Sequence, residues 1–231
     1  MKIGIVGGIG PESTVEYYKS IIAEYQKLKT DGNYPQIVIE SINMKEMLDL
    51  VAQREWNGLV NLLVKALKNL SYVGADFAVI ASNTPHIVFD KIKENIPIPV
   101  LSIVEETCKK ANELKLKKVG LLGTAFTMKE EFYKNCLLKG GIDTVLPVEG
   151  EQEYIHEKIF SELEMGIAKE STKKEFIAII NRMIKEDSIE GLVLGCTELP
   201  LILKNGDCKI PFLNTVEIHV GSIAKEIKIR L

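Results

Sequence analysis

The chain has 231 residues, 46% of them hydrophobic, enough for one large domain or two small ones with real cores. Its net charge of −3, with acids and bases interspersed, excludes an electrostatic footprint for nucleic acid or an anionic membrane face. No apolar run approaches a membrane span, and four scattered cysteines with three histidines exclude a disulfide framework and leave little for a metal site.

The elements are read in chain order from hydrophobic periodicity and turn residues. A strand over Lys2–Val6 starts at once, with no charged leader, so no signal peptide is expected and the protein is read as cytoplasmic. A glycine loop leads into a helix over Pro11–Lys29, with Pro11 in its opening turn and Val15, Tyr18, Ile21, Ile22 and Tyr25 at helical spacing. Strands are predicted over Gln36–Glu40, Asp76–Ala81, Val100–Ile103, Lys118–Leu122, Asp143–Leu146, Gly191–Leu194 and near Phe212. Between them the pattern predicts helices over Glu55–Ser71, Pro85–Asn95, Val104–Leu114, Met128–Lys139, Glu151–Met165, Thr172–Glu186 and Val216–Ile229. This alternation argues for an α/β fold with parallel sheets covered by helices.

An internal repeat refines that reading. Lys2-Ile3-Gly4-Ile5-Val6-Gly7 returns as Lys118-Val119-Gly120-Leu121-Leu122-Gly123, an offset of 116. Asp76 to Ala81 followed by Ser82-Asn83-Thr84 returns, at an offset of 114, as Glu190 to Gly195 followed by Cys196-Thr197-Glu198. Two pseudo-symmetric α/β domains are expected, residues 1–98 and 99–211, joined near Pro97-Ile98-Pro99. The last segment, 212–231, is expected to pack back on the first domain.

Ligands of parallel sheets sit beyond the carboxyl ends of the strands, where both polar clusters fall. Two related halves facing each other would place the clusters on opposite sides of one cleft. That suits removing a proton from one face of an α-carbon and returning it to the other. Cys196 is the candidate reacting group, expected as a thiolate at a helix N-terminus near neutral pH; the alternative is a small buried residue. Cys108 and Cys136 read as core residues on apolar helix faces, and Cys208 as incidental in a polar turn. The loop Gly7-Gly8-Ile9-Gly10-Pro11-Glu12-Ser13-Thr14 fails as a dinucleotide site, since Ser13 replaces the third glycine and Glu12 would meet the pyrophosphate. It reads as a tight turn or as a small-ligand loop with Ser13 and Thr14 as donors. His86 is expected in a hydrogen-bonded structural role, His219 near the cleft floor, and His156 on the surface.

The glycine loop, Ser82-Asn83-Thr84-Pro85-His86 and Gly195-Cys196-Thr197-Glu198-Leu199-Pro200 together resemble the aspartate/glutamate racemase family along nearly the whole chain. The resemblance implies racemisation of an acidic amino acid without pyridoxal phosphate, in a homodimer, by two cysteines acting as an acid/base pair. By motif position those fall at Cys196 and Ser82, so the second thiol is a serine here and one enantiomer is expected to be favoured. The resemblance assigns substrate contacts to Gly8, Ser13, Thr14, Asn83, Thr84, Thr197 and Glu198. Lys169 is carried over as the anchor for the side-chain carboxylate, and Arg54 as a weaker match. A one-cysteine decarboxylase of the same superfamily and a non-catalytic small-ligand binding protein are the alternatives.

Overall fold

A computed structural model describes residues 1–230. Among these, eight strands form two four-stranded sheets, every pairing parallel. The first sheet contains β1 (Lys2–Gly7), β2 (Gln36–Ser41), β3 (Phe77–Ile80) and β4 (Val100–Leu101), in the order β2-β1-β3-β4. The second contains β5 (Lys118–Leu122), β6 (Asp143–Val145), β7 (Gly191–Leu194) and β8 (Phe212–Asn214), in the order β6-β5-β7-β8. The repeat in the sequence is thus a repeat of topology. β3 and β7 are buried along their whole length, which is why each reads as an unbroken apolar run rather than an alternating one.

The duplication extends to individual hydrogen bonds. Asp76 N–H donates to Lys2 O at 2.8 Å, and Glu190 N–H donates to Lys118 O at 2.8 Å. The Asp76 carboxylate accepts from Lys2 N–H, and the Glu190 carboxylate from Lys117 N–H, both at 2.6 Å. At the far ends of β3 and β7, Ala81 N–H reaches Val6 O at 2.9 Å and Gly195 N–H reaches Leu122 O at 2.7 Å. Each of these last bonds fixes the residue just before a polar cluster.

The helices are α1 (Pro11–Leu28), α2 (Met44–Ala52), α3 (Trp56–Tyr72), α4 (Phe89–Lys93), α5 (Ile103–Glu113), α6 (Ala125–Lys129), α7 (Phe132–Lys139), α8 (Glu149–Ser161), α9 (Glu170–Arg182) and α10 (Thr215–Arg230). α2 was not expected; its cap, Asn43, accepts from the N–H groups of Lys45 and Glu46. The predicted helix over 128–139 is two helices, α6 and α7, because Glu130 is extended. α1 buries Tyr17, Ile21 and Tyr25, while Val15 and Tyr18 of the expected apolar face are exposed. The helix is rotated because Ser13 and Thr14 are tied into the loop before it.

The chain divides into two compact units, Met1–Ile103 with the chain from His219 on, and Val104–Ile218. The expected divisions at 98/99 and 211/212 move. Residues 99–103 belong to the first unit, where β4 pairs with β3, and residues 212–218 belong to the second, where β8 pairs with β7. Only the later part of α10 falls in the first unit, where Arg230 lies 5.4 Å over the Phe77 ring. Within the second unit, Leu122, Ile155, Ile159, Phe176, Ile180 and Leu192 form the centre of the core.

Candidate active site

In the first unit β1 ends at Gly7 and the chain turns through Gly8 at φ +80°, where a Cβ would sit 2.5 Å from Ile42 O. Only glycine fits both the left-handed backbone and that close approach. Thr14 Oγ1 accepts from Gly8 N–H at 2.9 Å and donates to Gly10 O at 3.0 Å. Ser13 Oγ donates to Ala81 O at 3.0 Å. The two hydroxyl protons read as substrate donors are therefore committed within the protein, that of Ser13 tying the loop to the end of β3 and that of Thr14 closing the loop on itself.

Ser82 and Thr84 are half-buried and Asn83 is buried. A single 3-10 turn, Thr84–Val88, follows before α4, instead of the long helix expected from Pro85. His86 in that turn is 4% exposed and stacks on Phe89 with ring centroids 5.0 Å apart. The carbonyls of Ser82 and Asn83 lie against the ring, but neither ring nitrogen makes a hydrogen bond to the protein. The expected hydrogen-bonded role is thus corrected. Burial first, then the charges of His219 and Lys93, lower its pKa to about 3.

His219 is wholly buried inside the first unit, not on a ligand-accessible floor. Its Nε2 lies 3.1 Å from Leu101 O, which only accepts, so Nε2 carries the proton and Tyr17 O–H donates to Nδ1 at 2.7 Å. Burial lowers its pKa to about 4. Arg54 is exposed, in a left-handed conformation with φ 55°, its guanidinium 5.7 Å above Trp56.

In the second unit β7 delivers Cys196 at the edge of the apolar core, 7% exposed. Its Sγ donates to Glu198 Oε2 at 3.0 Å, and Thr197 Oγ1 donates to the same oxygen at 2.7 Å. Burial, then the Glu198 charge and hydrogen bond, push the thiol pKa well up, opposed by the Glu198 backbone N–H aimed at the sulfur. The expected resting thiolate is therefore corrected to a neutral thiol. The reasons are burial and the adjacent Glu198 carboxylate, with only a three-residue 3-10 turn, Leu199–Leu201, after the cluster, too short to supply an opposing helix dipole.

Glu164 escaped the sequence reading. It is half-buried, and burial with the Glu198 charge raises its pKa to about 7. Nothing in the sequence separates it from its acidic neighbours, because the effect depends on a residue 34 positions away. Lys169 lies just before α9 with its ammonium 3.1 Å from Glu162 Oε1. Glu162, 4% exposed, also accepts from Thr172 Oγ1 at 2.6 Å. His156 is half-buried rather than a surface residue, its Nδ1 accepting from Ala125 N–H at 3.2 Å. Among the described residues no group of three or more His, Cys, Asp or Glu side chains gathers to hold a metal ion, and no helix is long and apolar enough to cross a membrane.

Comparison with known proteins gives one consistent result. The Asp/Glu/hydantoin racemase family profile matches residues 6–223. The chain is 26% identical over 222 residues to the broad-specificity amino-acid racemase RacX of Bacillus subtilis, covering 92% of each. It is 31% identical over 162 residues to a glutamate racemase of Aquifex pyrophilus, covering 68% of this chain and 58% of that one. Among solved structures, an aspartate racemase homologue from Pyrococcus horikoshii OT3 matches with TM-score 0.88 and 36% identity, over 98% of this chain and 99% of that one.

Proposed function

Since this chain belongs to the Asp/Glu/hydantoin racemase family and is an isomerase of the amino-acid racemase type, we propose that it inverts the α-carbon of acidic amino acids with Cys196 as the principal acid and base. The observation that carries this reading is the Cys196–Glu198 hydrogen bond of 3.0 Å at the end of β7. A buried thiol is a poor base until it loses its proton. Glu198 is placed to take it, and the Glu198 N–H is placed to stabilise the sulfur anion that results. Arrival of a substrate ammonium favours the same charge separation. The thiolate then removes the α-proton, and as a thiol it returns one.

Racemisation needs a proton path on each face of the α-carbon. Ser82 stands in the place of the second thiol. A hydroxyl is too weak an acid to rest as its anion near neutral pH, so Ser82 serves that face by passing a solvent proton and not as a base. Abstraction by Cys196 is then the fast direction, and one enantiomer is favoured. Asn83 and Thr84 supply donors to the α-carboxylate. Thr197 acts through Glu198, to which its hydroxyl proton is committed. Lys169 anchors a side-chain carboxylate by exchanging its partner Glu162 for substrate. A reducing cytoplasmic setting keeps the thiol in its working form.

The test is α-proton exchange in D2O, followed by NMR, with L- and D-aspartate and L- and D-glutamate. Exchange is expected, faster for one enantiomer of the preferred substrate, and lost by about 10³-fold or more in Cys196→Ala with melting temperature preserved. Full activity in Cys196→Ala would place the base elsewhere. Exchange with none of the four, but with neutral or basic amino acids, would move the substrate class toward the broad specificity named for RacX.

A further inference from the structure

Two thiols outside the proposed reaction lie together in the second unit. Cys108 is on α5, 4% exposed, and Cys136 is on α7, half-buried. Their separation of 28 positions hides the relation in the sequence. Cys136 Sγ lies 3.9 Å from the carbonyl oxygen of Val104. Val104 stands one helical turn before Cys108, so its carbonyl points along α5 toward the Cys108 position. The sulfur of Cys136 therefore reaches α5 where the Cys108 side chain emerges, and the two thiols share a hydrogen bond. Their charged surroundings differ. Glu105 acts on Cys108, while Lys109 acts electrostatically on Cys136. Cys136 is half-buried while Cys108 is buried, so reagents reach Cys136 first.

We propose that Cys108 and Cys136 are an oxidisable dithiol, a modification site that closes into an α5–α7 disulfide under hydroperoxide. The thiolate of Cys136 attacks one oxygen of hydrogen peroxide and breaks the O–O bond; the sulfur becomes a sulfenic acid, and the hydroxide released takes up the proton lost when the thiol ionised and leaves as one water. The Cys108 sulfur then attacks the sulfenic sulfur, forming the S–S bond and releasing a second water. The two sulfurs together lose two electrons, and the peroxide is reduced by the same two. The resulting loop of about 27 residues constrains the unfolded chain, so the oxidised protein melts higher by roughly 5–10 °C. None of this rests on the racemase reading.

The experiment treats the full chain with a small excess of hydrogen peroxide, followed by non-reducing peptide mapping and a thermal melt. A peptide pair joined through Cys108 and Cys136, 2 Da lighter than the sum of its thiols, with a raised melting temperature reversed by dithiothreitol, is the expected result. Cys136→Ser, or Cys136→Ala if the serine variant folds poorly, should remove both the link and the shift. Sulfinic or sulfonic acid at Cys136 without a link, both thiols unchanged, or Cys108 joined to another cysteine would overturn the proposal.

Discussion

At the scale of single residues, the second unit sets one proton between two groups. Cys196 gives its hydrogen bond to a carboxylate oxygen that already accepts from Thr197. The carboxylate acts in two opposite ways. Together with burial, its charge holds the thiol protonated at rest, and its oxygen accepts that proton when the thiol must ionise. Glu198→Gln separates the two. The neutral amide keeps the size of the side chain and removes the charge, so the Cys196 pKa falls toward the ordinary thiol range. Alkylation of Cys196 by iodoacetamide should then reach half-maximum at a lower pH than in the parent. Catalysis should nonetheless drop by about 10²–10³-fold, the usual worth of a positioned general base. A variant both easier to alkylate and faster in turnover would show that Glu198 only restrains the thiol.

At the scale of elements, β1 and the loop after it are held by backbone geometry. Gly8→Ala forces a Cβ into a left-handed position 2.5 Å from Ile42 O. Loss of about 1–3 kcal/mol of stability is expected, with a larger loss of exchange activity if the Ser13 bond to β3 shifts. Urea unfolding beside the exchange assay measures both. Such positions were legible in the sequence because glycine marks them. The strands were legible too, since β3 and β7 announce themselves as short apolar runs that end in polar clusters. Asn43 and Glu46 carried a readable capping signal for α2, and Met44, Met47, Leu48 and Val51 recur at helical spacing, so this short helix was legible although it was not predicted. What the sequence did not carry was charge environment. Cys196 looked ready to ionise because a helix was expected after it. Burial of the thiol and the Glu198 carboxylate reverse the sign, and the short 3-10 turn supplies no dipole against them. His86 looked hydrogen-bonded because buried histidines usually are, and its two bare nitrogens emerge only when Phe89 and the strand-end carbonyls are placed around it.

At the scale of the whole molecule, the two buried histidines of the first unit make folding depend on pH. His86 has a pKa of about 3 and His219 of about 4, both lowered first by burial, against about 6.5 in an unfolded chain. The unfolded chain therefore binds more protons between pH 6.5 and about 3. Their contribution is fully present above pH 6.5 and is lost as pH falls through that window. Other groups move the same curve. Glu162, held low by Thr172 and Lys169, adds loss at more acidic pH, while Glu164, raised by burial and Glu198, favours the fold on acidification. The diagnostic is therefore a difference between two proteins. His86→Phe keeps a ring stacked on Phe89, removes two buried nitrogens with no hydrogen bond to the protein, and removes one titration. His219 is unsuitable for this purpose, since replacing it strands Tyr17 and Leu101. Urea midpoints measured at pH 7.5, 6, 5 and 4 should show His86→Phe at or above the parent at pH 7.5, with the gap widening steadily toward pH 4. A gap that stays constant across the series would mean that His86 takes up its proton in the folded state as readily as in the unfolded one.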